Sequence, residues 1–516
     1  MKNTAKRICA LMMALTATAG FAACDRNQNG NADLVVTYYN GGYGEEWLEK
    51  AANAFEKDKG VKVKLIDSYE LDCDASNALS SGRNLSDIYI SADSEWSTWV
   101  TEGKLEPLGE VYDTEVDTAA GKKKIKDYIE QDVVGKYYMQ MQAGQGSFRP
   151  WVMPWSAQPG ALAYNEDLLT SVVHTDSGYA VEGLAVGAKW TAPPETVTEL
   201  KAYFADVTAH GKNYVPFGWA GNAPEMFYYM IYSWWAQAQG VTESKIAGEG
   251  SFYDFWNFGN DPAADSQTLS LKGYEQTGIK TALDTLRTLI VKDGTFVNSL
   301  PDATGLSPQD LQRTFVSAMA DKKPAIALAS SYLENETDLN GYLDSNGDGK
   351  QDVNFKFMKV PVLDGYTGEN TLYCSMEDVM FIPAQAIHKE LAKEFLAYLC
   401  SEAQLKQFSA LTGGIRPFAY DAREGNDKMS EFTKSVYDLY YGSTKLFEYP
   451  HTVENMEDVS NVYRFARPTL LGNDLGDVVK SLKNKTGATI MSEIVADIKK
   501  LSVGAWEDDY QVTFVD

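Results

Sequence analysis

Phe148-Arg-Pro-Trp-Val-Met-Pro-Trp-Ser-Ala-Gln-Pro-Gly-Ala-Leu-Ala-Tyr-Asn165 is two kinds of sequence joined end to end. Pro150, Pro154 and Pro159 fix φ and remove N–H donors, so the first half cannot be helical, while Ala161 to Asn165 reads as a short buried strand. Trp151 and Trp155 sit among the prolines, and an indole on stiff, non-helical backbone is well placed to face a cleft. The stretch is expected to be a crossing between two lobes.

A chain of 516 residues is too long for one hydrophobic core, and 44% hydrophobic with 23% charged residues is the balance of a globular protein. The formal charge of −26 repels phosphate backbones and anionic headgroups, which excludes nucleic acid as an expected partner. The same charge also keeps a secreted protein soluble. Lys2, Lys6 and Arg7 followed by the apolar run Ile8 to Ala19 form an export signal too short to span a bilayer. Phe21-Ala-Ala-Cys24 then resembles a lipobox, with Phe21 in place of the usual aliphatic residue, so Cys24 is the expected lipid-anchored N-terminus; the alternative is cleavage nearby with Cys24 left free. Cys73, Cys374 and Cys400 are too widely spaced for a disulfide framework or a zinc site.

After a polar tether, the chain alternates between two periods. Leu34 to Tyr39 reads as a strand, Glu45 to Lys57 as a helix, Val61 to Ile66 as a strand, Ala75 to Ser81 as a helix and Ile88 to Ile90 as a strand, a pattern that implies a parallel sheet covered by helices. Ligands of such sheets gather at the carboxyl ends of the strands. The first of these loops, Tyr39-Asn40-Gly41-Gly42-Tyr43-Gly44, mounts two tyrosines and an amide on permissive backbone and lacks the spacing of a phosphate loop. In the third, Asp93 and Trp96 are either ligand contacts or parts of a helix cap. Farther on, Val215 to Gly221 is a strand with a glycine-rich exit, and Met226 to Trp235 is a helix aromatic nearly all round. Trp219, Trp234 and Trp235 are candidates either for a cleft wall or for core. Ala325 to Ser330 is a buried strand followed by Tyr332, and Tyr373 to Pro383 reads as one strand with Glu377 and Asp378 near its start.

Asp344, Asn346, Asp348, Lys350 and Asp352 occupy positions 1, 3, 5, 7 and 9 of a calcium-loop pattern with Gly349 at position 6, so a structural calcium ion is expected there; Phe355 stands where the bidentate glutamate belongs, and the alternative is a plain Asp/Asn/Gly turn. His174, His210, His388 and His451 have no ligand spacing. No nucleophile elbow, zinc-protease or kinase motif occurs, so the chain is not expected to be an enzyme, although paired acids leave a glycoside hydrolase as an alternative.

In this order, several blocks resemble extracellular solute-binding protein family 1, the carbohydrate-binding lipoproteins of ABC importers to which maltose-binding protein belongs. They are Phe55 to Val63, Leu79-Ser-Ser-Gly82 with Ser86-Asp-Ile88, Trp99 to Leu108, Met153-Pro-Trp155 to Tyr164-Asn165, Ala192 to Leu200 (with Val197 for the family's tryptophan), Lys389 to Gln404, and Gly413-Gly-Ile-Arg-Pro417. The resemblance implies an α/β fold of the periplasmic-binding-protein type, with two α/β lobes joined by a hinge around a ligand cleft. It implies a signal peptide over 1–23, a tether over 24–32, one lobe from 33–158 with 370–415, and the other from 159–369 with 416–516. It implies a monomer outside the cytoplasm that needs no cofactor, captures a mono- or oligosaccharide and delivers it to permease subunits; peptide or polyamine binding is a further alternative. Matching loops then point to Tyr39, Asn40, Tyr43, Asp93, Trp96, Trp155, Trp219, Tyr332, Glu377 and Arg416 as ligand contacts, with Asp378 beside them, and to Tyr463 as a stacking aromatic.

Overall fold

The computed structural model describes residues 32–83, 85–92, 94, 96–139, 148–240, 271, 274–300, 305–317, 320–376, 378–424, 429–447, 463–465, 475–502 and 512–514. Strand β1 (Leu34–Tyr38) is a leucine followed by β-branched and aromatic residues, buried along its whole length. Helix α1 (Glu46–Lys59) turns Trp47, Leu48, Ala51, Ala52 and Phe55 inward. Glu46 and Glu49 lie in its first turn and Lys57 and Lys59 in its last, and Gly60 at φ 71° ends it by returning its N–H to the Glu56 carbonyl. There follow β2 (Val63–Asp67), α2 (Leu71–Ser81), β3 (Ile88–Ser91) and α3 (Trp96–Thr101). After β4 (Met153–Pro154) and β5 (Gln158–Asn165) come α4 (Val197–His210), β6 (Tyr214–Gly218), α5 (Tyr228–Gln239), α6 (Thr277–Ile290), α7 (Pro308–Val316) and β7 (Lys323–Ser330). The remainder is α8 (Leu333–Leu339), β8 (Phe355–Met358), β9 (Thr371–Ser375), β10 (Val379–Phe381), α9 (Lys389–Leu399), α10 (Glu402–Thr412), α11 (Glu431–Tyr441) and β11 (Thr444–Phe447).

Two sheets organise these elements. The first has the order β2-β1-β3-β10-β4, with β1 parallel to β2 and β3 and with β10 antiparallel to both its neighbours. The second has the order β6-β7-β5-β9-β11, and β8 pairs with the carboxyl half of β5 while β9 pairs with its amino half. Each sheet carries parallel and antiparallel pairs and is covered by helices, so each lobe holds its own buried layer.

The quoted stretch leaves the first sheet at β4 and enters the second at β5. It does not expose its indoles: Trp151 and Trp155 are both buried, the first donating to the Met139 carbonyl and the second to the Ser91 carbonyl. Two expected boundaries need correcting. Tyr373 to Pro383 holds two strands, because β9 pairs in the second sheet and β10 in the first, so Met376 and Asp378 lie at a second crossing and 370–375 belong with the second lobe. Residues 416–420 likewise stay with the first lobe, since Phe418 bridges to Ile129 and the Ala419 N–H donates to the Tyr128 carbonyl. The crossings are tied together: the Trp155 N–H donates to the Asp378 carbonyl (3.2 Å) and the Ala157 N–H to the Ile415 carbonyl (2.8 Å).

Candidate functional site

A cavity of about 330 Å³ lies where the carboxyl end of β1, the crossings and the second sheet meet. The first lobe lines it with Tyr39, Gly41, Gly42, Tyr43, Ala92 and Trp155, and the second with Gln158, Tyr228, Tyr229, Gln312, Tyr332, Glu336, Tyr373 and others. Asp378, in the second crossing, closes one side. Half-buried Tyr39, Tyr228, Tyr229 and Tyr332 offer ring surface, whereas Trp155 is 1% exposed with Trp47 stacked 5.8 Å from it and serves as wall. Two glycines make room for these rings. A Cβ on Gly42, at φ +70°, would come within 2.9 Å of the Tyr332 ring, and one on Gly160 in β5 within 2.3 Å of Tyr229.

The lobes touch across the cavity. Asn335 Nδ2 donates to the Gly42 carbonyl at 2.8 Å, and the Tyr43 ring meets Tyr332 edge-on at 5.6 Å. Below them the Tyr43 hydroxyl shares a 2.8 Å hydrogen bond with Ser156. Burial raises the Tyr39, Tyr43 and Tyr332 phenols above their ordinary value, so all three keep their protons and can both donate and accept. Asp378 accepts from Gln158 Nε2 at 2.7 Å, and Glu336 from Gln312 Nε2 at 2.6 Å.

Of the candidates named from sequence, the fold brings Tyr39, Tyr43, Trp155, Tyr332 and Asp378 to this cavity. Others point elsewhere. Asn40 is half-buried beside the cavity without bordering it, and Trp96 packs against the first-lobe core. Trp219 is buried between Phe227 and Phe296. Trp234 and Trp235 are core residues whose indoles donate to the Pro361 carbonyl and to Gln276. Arg416 is 1% exposed and turned away into the first lobe, where its guanidinium donates to the Leu399 carbonyl at the end of α9 (2.5 Å) and to the Pro154 carbonyl (3.3 Å). Asp93 and Glu377 lie outside the described residues, as does the Tyr463 side chain, whose backbone pairs with Phe514. Sequence reasoning missed Gln158, Tyr228, Tyr229, Gln312, Glu336 and Tyr373. Tyr228 and Tyr229 carried a usable signal, because they open a helix that follows the carboxyl end of β6.

The Asp344 to Asp352 loop spends its oxygens on itself. Asp344 accepts from the Asp348 and Gly349 N–H groups, Asp348 from the Lys350 N–H, and Asp352 from Ser345 and Asn346. Phe355, at position twelve, is buried against Phe315 and Phe432, and no group of three or more acid, His or Cys side chains that could hold a metal occurs among the described residues. The residues present form an Asx-rich turn and do not fit a calcium cage. EDTA or added calcium is therefore expected to leave the melting temperature unchanged; a rise of several degrees with calcium would restore the ion.

Acid should stabilise the protein before it unfolds it. Burial holds the Glu334 and Glu336 carboxyls above the usual carboxylate range, whereas hydrogen bonds from Lys126 and Arg423 hold Asp113 and Asp421 below it. A raised carboxyl contributes stability that is present below its unfolded value and lost as pH rises through its folded value, and a lowered one contributes stability lost in acid. The melting temperature is thus expected to rise as pH is lowered through the folded values of Glu334 and Glu336 and to fall in stronger acid, as Asp113 and Asp421 take up protons. A monotonic decline on acidification would contradict this.

No curated protein matches the sequence. Among solved structures, RafE from Streptococcus pneumoniae in its apo form is 15% identical, with a TM-score of 0.55 over 91% of this chain and 99% of that one. The GacH receptor of Streptomyces glaucescens GLA.O is 14% identical, with a TM-score of 0.56 over 92% and 98%. A probable secreted solute-binding lipoprotein from Streptomyces coelicolor is 13% identical, with a TM-score of 0.54 over 92% and 100%. At that identity the likeness establishes the shared two-lobe fold. Among the described residues no helix is long and apolar enough to cross a membrane. Residues 50–435 match the family described as bacterial extracellular solute-binding protein, a family that acts outside the cytoplasm, and the chain belongs to it.

Proposed function

We propose that this solute-binding protein captures a carbohydrate, in oligosaccharide form, and hands it to an ABC importer as a monomer. The supporting observation is the cavity itself: four half-buried tyrosines around amide, hydroxyl and carboxylate groups, drawn from both lobes. Sugars present C–H faces that lie on aromatic rings and hydroxyls that need paired donors and acceptors. Two of the similar structures support the reading, RafE solved with raffinose and GacH solved with acarbose. Tyr69, 73% exposed two residues beyond β2 at the same end of the sheet, gives a longer glycan a ring outside the cavity. A ligand that touches Tyr39 on one lobe and Tyr332 on the other favours the closed arrangement by the contacts it gains there, and a permease can read that shape.

Glu336 and Asp378 border the same cavity, which is the observation a hydrolase reading would use. Calorimetry against a glycan panel, with mass analysis of the same mixtures, separates the readings. Stoichiometric heat with intact glycan recovered is the expected result. Turnover would favour the hydrolase, and heat with polyamines alone would favour the remaining alternative.

Cys24 lies outside the described residues, and its diacylation is a separate proposal. Cells fed a clickable fatty acid should label the native protein and not a Cys24→Ser variant; equal labelling of both would remove the anchor.

A further inference from the structure

The cavity is chemically lopsided. Among the described residues that border it there is no Lys, Arg or His, yet two carboxylates, Glu336 and Asp378, do so. Glu336 on α8 is half-buried, and the hydrogen-bond partner found for its carboxylate is Gln312 Nε2 on α7, at 2.6 Å. That bond fixes the amide: a carboxylate accepts, so nitrogen faces it and Gln312 Oε1 is left as the acceptor of the pair. Gln312 is only 9% exposed, and its Oε1 finds no partner among the described residues. A buried amide oxygen left without a donor costs about 1–3 kcal/mol, and a desolvated carboxylate with no cation beside it is more costly still. Both penalties vanish if the ligand brings a donor-only positive group.

We infer that the glycan carries a protonated amine, seated between the Glu336 carboxylate and Gln312 Oε1, and that uronic acids and other anionic sugars are refused. This rests on the carbohydrate reading above. The rings of Tyr39 and Tyr332 lie near enough to Glu336 for its charge to raise their phenols, so the same carboxylate borders the surface on which a sugar would stack. An ammonium has three donors and no acceptor, which suits two acceptors on neighbouring side chains of one cavity, whereas a neutral hydroxyl would satisfy only one of them through its single proton. Burial that excludes Glu336 from water strengthens the attraction relative to an exposed ion pair.

The test uses the whole mature chain and matched ligands: gluco- and galacto-configured aminosugar oligomers with free amines, the same oligomers N-acetylated, trigalacturonate, and spermidine. Calorimetry should show the free amine binding about tenfold or more tighter than its N-acetyl match in whichever series binds, with no heat from trigalacturonate. Glu336→Gln and, independently, Gln312→Met should bring that ratio towards one, whereas a merely structural role would weaken both ligands equally. N-acetyl or neutral glycans binding as tightly as amines would overturn the inference and leave the carbohydrate reading standing, as would binding of the uronate or an unchanged ratio in both variants. Spermidine alone binding, with Glu336→Gln abolishing it, would keep the cation seat and remove the carbohydrate. No binding by any member of the set would overturn the inference and leave the carbohydrate reading to the glycan panel.

Discussion

Asp206→Ala is expected to cost about 3–5 kcal/mol of stability or to prevent folding of the second lobe altogether. Asp206 lies on α4, fully buried, and its two oxygens accept four hydrogen bonds: from His174 Nδ1 (2.8 Å), Trp190 Nε1 (2.8 Å), the Thr175 N–H (2.8 Å) and Thr175 Oγ1 (2.6 Å). All four donors sit on residues 174–190, a stretch with little regular structure that this carboxylate ties to α4. Alanine leaves the donors buried and unpaired, and each orphan forfeits what water would have given it. Urea unfolding followed by circular dichroism measures the loss, and limited proteolysis should show new cleavage within 173–190. A change under about 1 kcal/mol would show that the donors find other partners.

Asp378→Ala is expected to weaken glycan binding by about 100-fold, about 2.7 kcal/mol, while altering stability far less. Asp378 is 2% exposed, accepts from the Gln158 amide at 2.7 Å and borders the cavity between β9 and β10. Removing it takes away an acceptor for sugar hydroxyls and releases Gln158 from its orientation, and both losses fall on the ligand because water can enter the emptied corner. Calorimetry with the tightest glycan from the panel gives the ratio. An affinity within threefold of the native value would show that the ligand sits elsewhere.

Much of the fold was legible because local chemistry and topology agree in the first lobe. The alternation from Leu34 to Ile90 became β1, α1, β2, α2 and β3, and the proline-broken run before Ala161 became the passage to β5. The second crossing was hidden, since Tyr373 to Pro383 is apolar on both sides of Glu377 and nothing in its period says that one half pairs with β5 and the other with β3. The site was read in part for a related reason. An aromatic helix does not declare which rings face a cavity: Trp234 and Trp235 found internal acceptors, while Tyr228 and Tyr229, nearly two turns earlier, border the opening. Arg416 was drawn away by the carbonyl end of α9, a partner that becomes visible only when the chain is folded. Glu336 and Gln312 come from separate helices, and no spacing rule joins them.

The most direct measurement is a crystal structure of the protein grown with its tightest glycan. An intact sugar should lie between the lobes, against Tyr39 or Trp155 on one side and Tyr229 or Tyr332 on the other. A glycan bound outside that cavity, or found there as cleaved product, would contradict the account.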